Sequence, residues 1–181
     1  MFFPGTGALD ERGGPDAPGS AINVPLPANT GDDAWLEALN TIVPRAVAEF
    51  APDVLVTQLG CDTHATDPLA QLRLTTRSYK EAAALLHRLA HDAAYGRWVA
   101  TGGGGYQWAR VVPRAWTLYF AEMANATAAL PDELPSAWVE KASAKAGEPV
   151  RSTFSEPALE PYQADDEARR VTAELADILW P

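Results

Sequence analysis

Arg97-Trp98-Val99-Ala100-Thr101-Gly102-Gly103-Gly104-Gly105-Tyr106 joins a short apolar strand to four residues without a Cβ and then to a phenol. Glycine loses more conformational freedom on folding than any other residue, so a run of four is kept only where backbone must approach something closely or adopt unusual φ/ψ. The run reads as a backbone platform for a ligand, with Tyr106 facing it. A phosphate-cradling loop would show G-x-G-x-x-G or a terminal Gly-Lys-Ser/Thr, whereas Tyr106-Gln107-Trp108 follows here. A tyrosine fixed at the edge of a cleft instead suits a hydrogen-bond donor aimed at a developing oxyanion, which points to acyl chemistry.

Outward from this stretch, Asp53-Val54-Leu55-Val56-Thr57-Gln58-Leu59 is a nearly continuous apolar run ended by Gly60, the pattern of a strand buried on both faces of a parallel sheet. Between the two strands the spacing of Tyr79, Ala82, Ala83, Leu86, Leu89 and Ala90 predicts a helix over about 78–94. An earlier helix carries Trp35, Leu36, Leu39, Ile42, Val43, Ala46, Val47 and Phe50, with Asp32 as its cap and a kink at Pro44. Ser20-Ala21-Ile22-Asn23-Val24 reads as a short strand after a loop rich in Gly and Pro. The alternation of strand and helix implies right-handed crossovers, a parallel sheet covered on both faces, and ligands outside the carboxyl ends of the strands. Beyond the glycines, Pro113 opens a helix through Trp116, Leu118, Phe120 and Met123. Residues 131–165 show no sustained period, and Val171, Leu175, Ile178 and Leu179 mark a final amphipathic helix.

The composition excludes several classes of partner. With 181 residues and 47% hydrophobic content the chain can bury one sizeable core. A net charge of −10 and a pI near 4.6, with no cluster of Lys or Arg, argue against nucleic acid and anionic membrane surfaces. No apolar stretch approaches the roughly 20 residues of a membrane span. Cys61 is the single cysteine, so no internal disulfide forms, and no signal-peptide pattern is present; the expected compartment is the cytoplasm.

Asp62, just past the first strand, is either a turn cap or, with His64, a carboxylate and imidazole pair suited to a divalent metal. His87 and His91 lie four apart on a helix, as in a two-histidine metal site, but Arg88 occupies the place where a zinc protease carries Glu, and the pair reads as a solvated helix face. Cys61 stands beside a carboxylate, which raises a thiol pKa, so it reads as a packing residue and not as a nucleophile.

Five segments together resemble the C-terminal part of the zinc-dependent histone deacetylase family, and more narrowly its bacterial acetoin-utilization-type members. They are Phe2-Phe3-Pro4-Gly5-Thr6-Gly7; Asn23-Val24-Pro25-Leu26; Gln58 to Thr63 with Asp67-Pro68-Leu69; Leu72-Arg73-Leu74-Thr75; and Gly102 to Tyr106 with Arg114-Ala115-Trp116-Thr117. The resemblance implies an α/β fold, a three-layer α/β/α arrangement on a mainly parallel sheet, here as an incomplete C-terminal part. Residues 1–130 would belong to the deacetylase domain and 131–181 to a C-terminal appendage. It also implies roles: Asp62 as a metal ligand, Tyr106 as the catalytic residue polarising the acetyl carbonyl, and Phe3, Leu69 and Gly102, Gly103, Gly104 and Gly105 as walls of the acyl-lysine channel. His64 has no ligand role in that pattern.

The implied cofactor is zinc, or another divalent metal, and its remaining ligands are expected outside this chain. The family's paired histidines and Asp-x-His have no counterpart among the three histidines here. The expectation is therefore a chain inactive by itself, with an acetylated lysine on a protein, taken as a metabolic enzyme, for substrate and a separate N-terminal half chain as a partner. The alternative is a non-catalytic remnant that binds acyl-lysine or dimerises.

Overall fold

The structure, a computed structural model, describes residues 5–181. Two strands, β1 (Leu55–Gln58) and β2 (Trp98–Thr101), pair in parallel with Leu55 opposite Trp98 and Gln58 opposite Thr101. Helix α2 (Thr76–Ala93) makes the crossover between them. Because the strands are in register, the loops that follow them leave the sheet side by side.

One face of this sheet is covered. Leu55, Trp98 and Ala100 pack on a core of Leu59, Leu74, Tyr79, Ala83, Leu86, Val111, Ala115 and Tyr119, contributed largely by α2 and by α3 (Val112–Met123). The other face is open, with Val56 65% and Val99 49% exposed. Burial on both faces, as the continuous apolar run predicts, is thus corrected: α2 and α3 lie on the same side, and no described element covers the other. The α/β class and the parallel sheet are as expected.

Helix α1 (Asp32–Phe50) continues through Pro44 as one helix, its face of Ala34, Leu36, Ala38 and Ile42 buried. It packs against both α2 and the last helix, α5 (Ala164–Leu179), with α4 (Ser136–Ala146) lying between α3 and α5 in sequence. Burial on two neighbours offsets the backbone hydrogen bond that proline removes. Asp32 does not cap its own helix, whose N-cap is Gly31. Its carboxylate crosses instead to the start of α2, accepting from the Thr75 amide (2.9 Å), the Thr75 hydroxyl (2.7 Å) and the Ser78 hydroxyl (2.5 Å). The Gly31 amide in turn donates to Asp165 in the first turn of α5 at 2.8 Å. Residues 20–24 form no strand, since no neighbouring segment offers them a ladder.

Candidate functional site

The site grows from the carboxyl ends of the two strands. The ladder is prolonged past them by the Leu59 amide donating to the Thr101 carbonyl at 2.9 Å and the Cys61 amide to the Gly104 carbonyl at 2.7 Å. This places Asp62 directly against the glycine run. A methyl group on Gly104 would collide with the Asp62 carboxylate, and one on Gly105, at φ +154°, would lie 2.6 Å from the Cys61 sulfur. The missing Cβ atoms therefore make room for the chain's own neighbouring loop at Gly104 and Gly105, where the sequence pattern points to a ligand. Gly102 and Gly103 are exposed at the surface.

Two further contacts lace the loops together. The Tyr106 amide donates to Asp67 Oδ2 at 2.9 Å, while Oδ1 of the same carboxylate accepts from the Leu69 amide at 2.9 Å and the Ala70 amide at 3.3 Å. The Gln107 side-chain amide donates to the Thr66 carbonyl at 2.8 Å. Below them, the hydroxyl of the buried Tyr79 donates to the Cys61 carbonyl at 3.1 Å. Asp62, Leu69, Gly102 to Gly105 and Tyr106 are thus carried on two interlocked loops, with Tyr106 50% and Leu69 65% exposed. Phe3 lies outside the described residues. Asp67, whose carboxylate ties the two loops together, is a residue that the sequence reading leaves without a role. Its signal is legible, since an Asp two residues ahead of an amide it can bond is a local turn pattern.

Asp62 is half-buried, and among the described residues no donor hydrogen-bonds to its carboxylate. It borders a cavity of about 400 Å³ shared with Trp35, Gln58, Thr63, Tyr79 and Tyr119. A carboxylate so placed can ligate a cation, yet a catalytic zinc takes three protein ligands and keeps one open position. Among the described residues no group of three His, Cys, Asp or Glu side chains could hold a metal ion. The residues present do not complete such a centre.

His64 and Cys61, the side chains nearest in sequence, are engaged elsewhere. His64 is buried, its Nε2 3.0 Å from Glu156 Oε2 and its Nδ1 3.0 Å from the Thr66 hydroxyl. Cys61 is 1% exposed, and burial first, then the charges of Asp62 and Asp67, push its thiol up to about 11. It is a packing residue. Glu156 is the larger surprise, because it comes from the aperiodic stretch before α5. Its carboxylate accepts from Arg114 Nη1 at 2.8 Å and from the Thr76 amide at the start of α2 at 2.9 Å, besides meeting His64. Burial alone would raise its pKa, but the hydrogen bonds and charges of His64 and Arg114 outweigh that and hold it at about 2. No local pattern announces a residue whose partners are this distant in sequence. His87 and His91 also depart from a purely solvated face, since His87 is only half-exposed and bonds Glu122.

Residues 1–123 match the histone deacetylase domain. The acetoin utilization protein AcuC of Bacillus subtilis (strain 168) is 42% identical over 157 residues, 87% of this chain and 40% of that protein. AcuC of Staphylococcus xylosus is 34% identical over 141 residues, 76% of this chain and 37% of the relative. Among solved structures, a histone deacetylase homologue complexed with SAHA superposes with a TM-score of 0.80 at 25% identity, over 97% of this chain and 47% of that one. A homologue from Aquifex aeolicus gives a TM-score of 0.76 at 24% identity. The chain thus spans about two fifths of the length of these curated relatives and about half that of the solved structures.

Proposed function

Because the chain belongs to the histone deacetylase family, we propose that it supplies one wall of a hydrolytic deacetylase site acting on acetyl-lysine amides. The observation that carries this reading is the interlocking of Asp62, Gly104 and Tyr106 across two adjacent strand ends. Tyr106 is held by its backbone while its side chain stays half exposed, the arrangement wanted of a hydroxyl that must donate to an incoming carbonyl oxygen. Such a donor contributes most when charge develops on that oxygen, as amide hydrolysis requires. Leu69 and the glycine run, with Phe3 ahead of them in sequence, would line the path of the lysine side chain.

Asp62 supplies one of the ligands for zinc or another divalent metal, and the rest come from residues outside those described here. The substrate under this proposal is an acetylated lysine on a protein such as a metabolic enzyme, and the compartment is the cytoplasm. Among the described residues no helix is long and apolar enough to cross a membrane. The missing ligands would be carried by an N-terminal half of the domain, covalently joined or separate.

The test is a fluorogenic acetyl-lysine peptide assay on the chain joined to the N-terminal segment of the B. subtilis relative. Activity should appear on joining and should fall on the order of 100- to 1,000-fold in Tyr106→Phe. A rate unchanged in Tyr106→Phe would remove Tyr106 from the reaction. If the joined protein folds but stays inactive while binding acetyl-lysine peptide, the non-catalytic acyl-lysine-binding reading takes its place.

A further inference from the structure

At the other end of the strands from Asp62, where α2 returns to the start of β2, two imidazoles converge. His87 Nε2 and His91 Nε2 are 3.2 Å apart, one helical turn from each other on α2. The opposite nitrogen of His87, Nδ1, is 3.2 Å from Glu122 Oε1 on α3, and the second oxygen of that carboxylate accepts from the Thr127 hydroxyl at 2.7 Å. The His87 ring also lies against Trp98, with centroids 6.1 Å apart. On the other histidine, the absence of a Cβ at Gly96 leaves space for the ring, since a methyl there would come within 3.3 Å of His91 Nδ1.

We propose that His87 and His91 form a two-histidine site for a divalent late transition-metal ion, with Glu122 orienting His87 from behind and water completing the coordination shell.

Three features support the assignment. First, the spacing fits: two nitrogens bound at about 2.0–2.1 Å to one ion stand about 2.9 Å apart at a right angle and about 3.3 Å apart in a tetrahedron. The observed 3.2 Å falls between these. Second, Glu122 accepts a hydrogen bond from the Nδ1–H of His87, and with the ring proton held there the Nε2 lone pair faces His91, the tautomer a metal requires. A carboxylate placed behind a ligating imidazole is the usual means of fixing its ring and raising its basicity. Third, the pair is open to solvent on the His91 side, so an ion can enter and keep water ligands. The exposed guanidinium of Arg88, whose charge acts on Glu122, weakens the site without blocking it. Imidazole donors select zinc, nickel and copper over magnesium and calcium.

The experiment is calorimetric titration of the tag-free full chain with ZnCl2 and, separately, NiCl2. One equivalent of either ion should bind. His91→Ala, at an exposed position, and His87→Ala should each abolish that binding, and Glu122→Gln should weaken it about 10- to 100-fold. Asp62→Asn should leave it unchanged. If His87→Ala does not fold, as judged by circular dichroism, His91→Ala decides alone. Absence of binding to the wild-type chain, or binding that survives His91→Ala, overturns the inference. Binding lost in Asp62→Asn and retained in both histidine variants also overturns it and assigns the ion to the other end of the sheet. Failure here leaves the deacetylase reading untouched, because the two sites share no residue.

Discussion

Gly104 and Asp62 compete for one volume, and only the absence of a side chain on the first lets the second sit where it does. Gly104→Ala should displace the carboxylate and cost about 1–3 kcal/mol, the usual range for overpacking, read as a lower urea midpoint with the slope unchanged. Glu156→Gln should cost more, about 3–5 kcal/mol, because it leaves the guanidinium of Arg114, 3% exposed, without its counter-charge. The same carboxylate sets an acid limit. Its folded value of about 2 lies below the ordinary 4.5, so its contribution is complete above the ordinary value and is lost as pH falls through that window. Urea midpoints measured from about pH 5 down to about pH 2 should drop steeply in the wild type and less steeply in Glu156→Gln. These residues differ in how far the sequence betrays them. The placement of Asp62, the glycines and Tyr106 is legible because each lies in the loop that follows a strand, and parallel register brings those strand ends together. Glu156 is not legible, because its partners Arg114, Thr76 and His64 lie 42, 80 and 92 residues away and no local period records them.

Helices reveal themselves in the chain to the extent that they are one-sided. The face of Tyr79, Ala82, Ala83, Leu86, Leu89 and Ala90 predicts α2 almost to its ends, since all six are buried. Helix α4 buries only Ala142, so its stripe is too thin to read, and the segment passes for irregular. The reverse holds for residues 20–24, which have strand-like residues but no ladder partner. Asp32 links two elements, standing in the first turn of α1 while holding the start of α2. Asp32→Ala removes three hydrogen bonds at once and leaves the Thr75 amide without its partner, at an expected cost of about 1–3 kcal/mol. Thermal unfolding followed by circular dichroism should show the lower midpoint, and Asp32→Asn, which can still accept, should recover part of it.

The molecule is asymmetric about its sheet, with helices against Trp98 and Ala100 and open surface over Val56 and Val99. On the helical side the packing depends on α5, which covers α1 with Ala168, Thr172 and Leu175 and bonds it through Arg169 to Glu37 at 3.0 Å. A chain ending at Gln163 should lose the cooperative unfolding transition and bind a hydrophobic dye, because the apolar face of α1 then meets water. Retention of a sharp transition would show that α1 is held by α2 alone. The bond from the Gly31 amide to Asp165 closes a loop across 134 residues. Translation at about 5–20 residues per second puts roughly ten seconds between the emergence of its two ends. For much of that interval every nascent copy carries α1 with only its α2-facing side covered, so ribosome pausing before α5 should set the yield of native protein more strongly than the stability of the finished fold.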